Sequence, residues 1–285
     1  MADLLEQCVA ETLGTSIVRK RPLSGGCIGE VFHLELGDGR GVVAKVDRSV
    51  PPRLDIEGYM LRYLAEHSEL PVPEVVVSTP AVLLMTFIAG DSQFSGPCQQ
   101  HAAQLLAALH GVRGKAHGLE RDTLIGSLHQ PNPWTDSWLD FFRDQRLLHM
   151  ATHARKEGIM SRALLQRIEG FAADLGQFIQ EPEHPSLLHG DVWTTNVLAD
   201  HGKITGFIDP AVYYGHPEIE LAFTTLFSTF GQAFFDAYHA LRPIPDGFFE
   251  YRRDIYNLYP LLVHARLFGA SYLNSVEGTL ARLGY

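Results

Sequence analysis

The chain has 285 residues, 46% of them hydrophobic and 20% charged, with a formal net charge of −10. That is the composition of a globular protein of one large or two modest lobes, and its acidic balance excludes nucleic acid as an expected partner, since such binding rests on Lys and Arg meeting phosphates. Three scattered cysteines (Cys8, Cys27, Cys98) form no disulfide framework and suit a reducing, cytoplasmic compartment; no apolar run reaches the length of a membrane span, and the acidic N-terminus does not read as a signal peptide.

Leu4, Leu5, Cys8, Val9 and Leu13 recur at helical spacing, which predicts a short helix packed on the body. Short strand-like runs follow at "SIVRKRPL" (16–23) and "EVFHLEL" (30–36). "GDGR" (37–40) is turn chemistry, and "GVVAKV" (41–46) resumes a buried strand. "RLDIEGYMLRYLAE" (53–66) places Leu54, Tyr59, Met60 and Leu64 near a helical period, and "PEVVVS" and "AVLLMTFI" predict a further β pair. After a connector near 88–96 the texture becomes helical, at 98–112, 134–158, 161–180 and from 217 onward. One apolar–turn–apolar stretch, "VLADHGKITGFID" (197–209), reads as a β-hairpin. The expected fold class is α+β with two lobes: residues 1–90 a β-rich nucleotide lobe, residues 91–285 a mainly helical lobe that holds catalysis and acceptor binding.

The chemistry concentrates around "HGDVWTTN" (189–196). Asn196 precedes the first strand of the hairpin and Asp209 follows the second, so antiparallel pairing brings the two together. One carboxylate and one amide oxygen suit a magnesium ion that keeps water and phosphate as its other ligands. Asp191, five residues before Asn196, would sit beside that ion. An Asp, an Asn at +5 and a second Asp after a hairpin is the arrangement of kinase phosphoryl-transfer sites. The β-rich lobe carries matching nucleotide elements. "SGGCIGEV" (24–31) offers Ser24, Gly25, Gly26, Cys27 and Gly29 as a phosphate-covering loop, with Ser24 where a first glycine is expected. Lys45 in "VVAK" stands where a phosphate-pairing lysine belongs, with Glu57 its expected partner and Glu30, Asp47 and Asp55 as competitors. Backbone groups of Met85, Thr86, Phe87 and Ile88 at the connector would meet adenine. There is no room for an activation loop between Asp209 and the helical pattern near Pro217, which favours a small acceptor and a constitutively assembled site. The fourteen histidines lack a Cys or carboxylate set at zinc-ligand spacing, so no zinc site is expected.

These residues resemble the aminoglycoside phosphotransferase-like kinases of the protein-kinase-like fold, and within them the fructosamine (ketosamine) kinase family. The likeness is carried by "SGGCIGEV", "TLIGSLHQPNPWTDSWLDFFRDQRL" (123–147), "LLHGDVWTTNVL" (187–198) and "FIDPAVYYGHPEIELAFTTLFSTFG" (207–231), and runs from Leu23 to Gly269. It implies ATP- and Mg2+-dependent phosphorylation of a ketosamine at a sugar hydroxyl, the 3-hydroxyl in the best-known members, after which the product decomposes and frees the amine. The resemblance makes Asp191 the base, Asn196 and Asp209 the metal ligands, Lys45 the nucleotide lysine and Glu57 its partner. Trp193, by its place between base and Asn, and Tyr213, Tyr214, His216 and Glu218, just after the second Asp, are candidates for acceptor contact. Glu220 is expected to brace the catalytic loop. The "QPNPW" loop (130–134) should border the acceptor cleft, its facing side open. Two readings compete: a kinase of another hydroxylated amine, aminoglycoside- or choline-like, and a nucleotide-binding scaffold without turnover. The sugar, the amine and the oligomeric state are not legible.

Overall fold

The structure is a computed structural model that describes residues 4–23 and 29–285. The expectations for Ser24, Gly25, Gly26 and Cys27 lie outside the described residues. The chain opens with helix α1 (Leu4–Leu13), then β1 (Ile17–Pro22), β2 (Glu30–Leu36), β3 (Gly41–Val46), α2 (Leu54–His67), β4 (Val75–Ser78) and β5 (Val82–Thr86). The strands form one antiparallel sheet in the order β1-β2-β3-β5-β4, so β3 is central.

Period-2 alternation explains what β3 does. Val42, Ala44 and Val46 pack with Leu34, Leu84 and the α1 residues Leu5 and Val9 in one apolar layer. Val43 faces the other way, into a cluster with Leu83, Met85 and the α2 residues Leu54 and Leu61. Lys45 shares that second face, so the strand's pleat alone aims its ammonium at α2. An odd-to-even slip in register would have sent it under α1 instead.

Beyond Thr86 the chain crosses to the helical region. There α3 (Gly96–Leu109) is followed by a hairpin, β6 (Thr123–Ile125) and β7 (Leu128–Gln130). A long helical rod comes next: α4 (Trp138–Phe141), a π-helical stretch (Phe142–Leu148) and α5 (His149–Lys156), then α6 (Arg162–Ala173). Ser161 caps α6 by accepting from the Leu164 N–H at 3.1 Å. The expected helix over 161–180 is shorter than its apolar pattern, because Asp174 and Gly176 are poor helix-interior residues and only a 3-10 turn continues past Ala173. Then come β8 (Ser186–Leu188), the hairpin β9 (Val197–Asp200) and β10 (Lys203–Phe207), and β11 (Tyr213–Gly215), which pairs with β8. Helices α7 (Pro217–Leu226), α8 (Gln232–Leu241), α9 (Arg253–Tyr256), α10 (Leu258–Phe268) and α11 (Leu273–Arg282) complete the chain. No described helix is long and apolar enough to cross a membrane. Cys8 and Cys98 are free thiols.

Apolar packing of α2 joins the lobes, and a buried arginine ties the helical lobe together within. The α2 residues Met60 and Leu64 belong to the large apolar core of the helical region, together with Leu106, Phe141 and Phe207. Arg146, fully buried in the π-helical stretch, donates to the Pro131 C=O and Asn132 Oδ1 at 2.8 and 2.7 Å, and its guanidinium stacks on Tyr213 at 4.0 Å. The "QPNPW" loop therefore turns Asn132 inward as a structural partner of Arg146, while Trp134 stays exposed beneath Lys115. Because Leu64 is completely buried between the lobes, Leu64→Ala should cost about 2–5 kcal/mol. Chemical denaturation of purified protein checks this, and a loss below about 0.5 kcal/mol would show that the lobes do not share that core.

Candidate active site

The "HGD" loop begins where β8 ends at Leu188. Gly190 has φ +86°, and a Cβ there would stand 2.1 Å from the Ala211 carbonyl oxygen, so the segment after β10 presses on a position only glycine can fill. Glu220, at the end of the first turn of α7, accepts from the Gly190 N–H at 2.6 Å and the His189 N–H at 3.4 Å. Its other support is His110 Nε2 at 2.9 Å, and His110 Nδ1 meets the Tyr238 hydroxyl at 2.7 Å. Burial alone would push the Glu220 carboxyl up, but His110, His189 and the Gly190 N–H outweigh it and hold it below the ordinary range. Glu220 is thus the brace expected from sequence.

The hairpin pairs Val197 with Phe207, and the Ile208 N–H donates to the Asn196 C=O at 2.9 Å, which sets Asn196 and Asp209 side by side at its open end. Asn196 Nδ2 donates to the Asp191 C=O at 3.0 Å and to Asp191 Oδ2 at 2.8 Å. Its Oδ1 is left with the Thr195 hydroxyl at 3.3 Å. Asp209 sits at φ +55°, a left-handed conformation that costs a non-glycine residue energy and is retained where the surroundings demand it.

From the other lobe, Lys45 Nζ reaches Glu57 Oε1 at 2.7 Å and Asp209 Oδ1 at 2.6 Å. Glu57, the expected partner, lies within hydrogen-bond distance of Lys45. Of its competitors, Asp47 accepts from the Ser49 and Arg53 N–H groups and Glu30 pairs with Arg48. Burial would push the Lys45 ammonium down, but Asp209 and Glu57 together hold it above its ordinary value, so it stays charged. Burial and the Asp209 carboxylate push Asp191 well up, against the hydrogen bond from Asn196.

Lys45, Glu57, Asp191, Trp193, Asn196 and Asp209 line one cleft between the lobes. One ammonium faces two carboxylates there, with Asp191 close by, which leaves the cleft short of positive charge. Asn196 Oδ1 and the second Asp209 oxygen, which has no partner among the described residues, form an oxygen-only donor pair that fits a hard divalent cation keeping most of its other ligands from outside the protein. Among the described residues no group of three His, Cys, Asp or Glu side chains is placed to hold a metal. Gly29, the described glycine of the expected phosphate loop, lies with φ +71° against the Val46 C=O. Met85 is buried in the sheet, Thr86 pairs with Val42, and Phe87 beyond the strand's end is exposed with its ring on His33.

The expected acceptor contacts divide. Trp193 is in the cleft, its ring 5.3 Å from Phe227 and 6.0 Å from His264. His216 and Glu218 are not. The chain turns at Gly215 into α7, whose first turn leads away from Asp191: His216 Nδ1 caps α7 by accepting from the Glu218 N–H at 3.1 Å, and Glu218 is locked to Arg252 at 2.7 and 2.8 Å. Both line a separate hollow with His184, Tyr238 and Arg242, which shares no residue with the Asp191 cleft. Tyr214 is likewise turned away, its hydroxyl bonded to Tyr63. Two sets of lining residues were not anticipated. Leu124 and Gly126 come from the β6–β7 hairpin, whose Gly126-Ser127 turn between Ile125 and Leu128 was a readable signal. Tyr213, one of the aromatic pair that the sequence offered after the second Asp, lines a largely apolar recess against Asp191 with Phe223, Tyr259 and His264; nothing in the spacing of the last three marks them, since they read as core.

The whole chain, residues 1–284, matches the family described as fructosamine kinase. A protein named "Probable ketoamine kinase" from Vibrio parahaemolyticus is 33% identical, with 99% of each chain covered. The chloroplastic protein-ribulosamine 3-kinase of Arabidopsis thaliana is 31% identical, over 95% of this chain and 84% of that protein. The solved structure of a "putative fructosamine-3-kinase" from Thermobifida fusca superposes with a TM-score of 0.86 at 27% identity, covering 98% of this chain and 97% of that one. An aminoglycoside phosphotransferase solved with ADP and hygromycin B gives a TM-score of 0.66 at 20% identity, a likeness of fold.

Burial holds the His216 imidazole down to about 3 and that of His117 to about 4, against 6.5 when free. The unfolded chain therefore binds more protons than the folded one below pH 6.5, and stability falls as pH drops from 6.5 toward 4. His216→Asn, which keeps a side-chain acceptor for the α7 cap, should lose less over that window. Unfolding midpoints of both proteins across the window check this, and parallel curves would refute it.

Proposed function

The chain belongs to the fructosamine kinase family and is a phosphotransferase with an alcohol group as acceptor, and from that premise we propose that it transfers the γ-phosphoryl group of ATP to a sugar hydroxyl of a ketosamine, of the fructosamine or ribulosamine type, at O3. The observation that carries this reading is the convergence of Lys45, Glu57, Asp191, Asn196 and Asp209 on one interlobe cleft.

Asp191 takes the part of the base. It accepts the proton of the acceptor hydroxyl as that oxygen bonds to the γ-phosphorus and the bond to the β-phosphate bridge oxygen breaks, releasing ADP. Asn196 fixes the carboxylate through its Nδ2 contacts, and Glu220 fixes the backbone beneath it. Lys45 meets nucleotide phosphates, steadied by Glu57. Asn196 and Asp209 would hold magnesium, which would supply charge neutralisation for the moving phosphoryl group. The glycine-rich loop, Ser24 to Gly29, covers the phosphates, and backbone groups from Met85 to Ile88 receive adenine. Trp193 offers its face to the sugar ring or the substrate ammonium. Phosphorylation at O3 leads to release of the free amine, a deglycation.

Asp191→Ala should lower kcat by about a hundred- to ten-thousand-fold with nucleotide affinity almost unchanged, whereas Lys45→Met should weaken Mg-ATP binding as well. Coupled ADP detection and nucleotide titration measure both; a merely severalfold loss in Asp191→Ala removes Asp191 as base. A panel of fructosamine, ribulosamine and erythrulosamine adducts beside an aminoglycoside and choline tests the acceptor. Turnover with the last two alone overturns the ketosamine assignment, and nucleotide binding without transfer to any of them overturns the kinase.

A further inference from the structure

The two carboxylates that share Lys45 come from distant segments, Glu57 from α2 and Asp209 from the stretch after β10. Each segment carries a tyrosine shortly beyond its carboxylate, Tyr63 on α2 and Tyr214 in β11. The two hydroxyls meet across the lobes, Tyr63 donating to Tyr214 at 3.2 Å, with the rings edge to face and their centroids 6.3 Å apart. Neither ring is loose. Tyr63 stacks on His67 at 4.0 Å with the planes 9° apart. Tyr214 is fixed by a two-way backbone bridge with Gly118, at 2.9 and 2.8 Å, and its ring is 6.3 Å from Trp134.

The remaining contacts hold α2 from the same side. The Tyr59 hydroxyl donates to Glu120 at 2.8 Å, the Arg121 guanidinium lies 4.6 Å over the Tyr59 ring, and Arg53 just before α2 donates to the Ser127 C=O at 2.9 Å. Met60 and Leu64 sit in the core of the helical lobe. The Tyr63–Tyr214 contact ties α2 to β11 at the part-buried margin of the interface, while Met60 and Leu64 hold it from within.

We infer that Tyr63 and Tyr214 form an interlobe clasp that sets the spacing of Glu57 and Asp209, and so places Lys45 for the nucleotide phosphates. They are positioning residues, and Tyr214 acts on the nucleotide side and not on the acceptor. The inference rests on the kinase reading above.

The test uses full-length Tyr63→Phe, Tyr214→Phe and the double variant, which keep both rings. Calorimetric titration with the magnesium complex of a non-hydrolysable ATP analogue and steady-state kinetics with a ketosamine are compared with unfolding midpoints. Each single variant should weaken nucleotide affinity and kcat/KM for ATP about fivefold, the effect of one hydrogen bond. Acceptor KM should be unchanged and the midpoint within about 2 °C of the parent. The double variant should be no worse than either single one, because either substitution already opens the clasp. Nucleotide affinity equal to the parent's, or losses that multiply in the double variant, would overturn the clasp while leaving the kinase reading intact. A parent protein that binds no magnesium nucleotide would overturn both.

Discussion

Everything in the cleft depends on one buried ammonium shared by two carboxylates. Lys45 is 4% exposed, a depth at which a lone charge would cost several kcal/mol or neutralise. Glu57 and Asp209 make it stable as a cation, yet each comes from a different part of the chain, one from α2 and one from beyond the hairpin. The triad therefore assembles only when the sheet, α2 and the hairpin are all in place. It also has a charge consequence. Two carboxylates against one ammonium leave the cleft acidic, and burial together with the nearness of Asp209 raises Asp191 in turn. Such a cleft is unfavourable alone and suited to a ligand that brings divalent cation and phosphate together.

The loop that presents Asp191 is held by rigid parts. Glu220 anchors its backbone, His110 and Tyr238 anchor Glu220, and the Ala211 carbonyl closes on Gly190. Asp209 is followed within four residues by β11, which returns directly to β8. No segment between them is long enough to fold over the site or to be rearranged. With α2 embedded in the helical core, both halves of the site are assembled by packing. Beside Asp191 lies the largely apolar recess of Tyr213, Phe223, Tyr259 and His264.

The family match spans the chain, while the likeness to the aminoglycoside phosphotransferase at 20% identity is one of fold. The contrast follows from where sequence is constrained. A two-lobe frame tolerates many substitutions that keep volume and pattern, whereas the roles proposed for Lys45, Asp191, Asn196 and Asp209 each depend on one side-chain chemistry. The recess beside Asp191 lies between these extremes, with Tyr213 and Tyr259 serving the core and lining it at once.

Periodicity made the sheet, α2 and the hairpin legible, because each is defined by a local pattern of two or 3.6 residues and bounded by turn chemistry. The spacing of Asp191, Asn196 and Asp209 was legible for the same reason: a hairpin brings its ends together whatever surrounds it. The 161–180 stretch failed because apolar period persists past the residues that end the helix, and the β6–β7 hairpin was passed over within a run of motif-like residues. His216, Glu218 and Tyr214 could not be assigned from sequence, since their direction depends on how α7 leaves β11 and on which partners wait there, Arg252 for one and Tyr63 for another. Local sequence determined the elements and the chemistry each carries. Only the tertiary structure decided which side chains share a cleft, because that is set by the packing of α2, the hairpin and α7 against one another, through contacts between residues up to 164 positions apart.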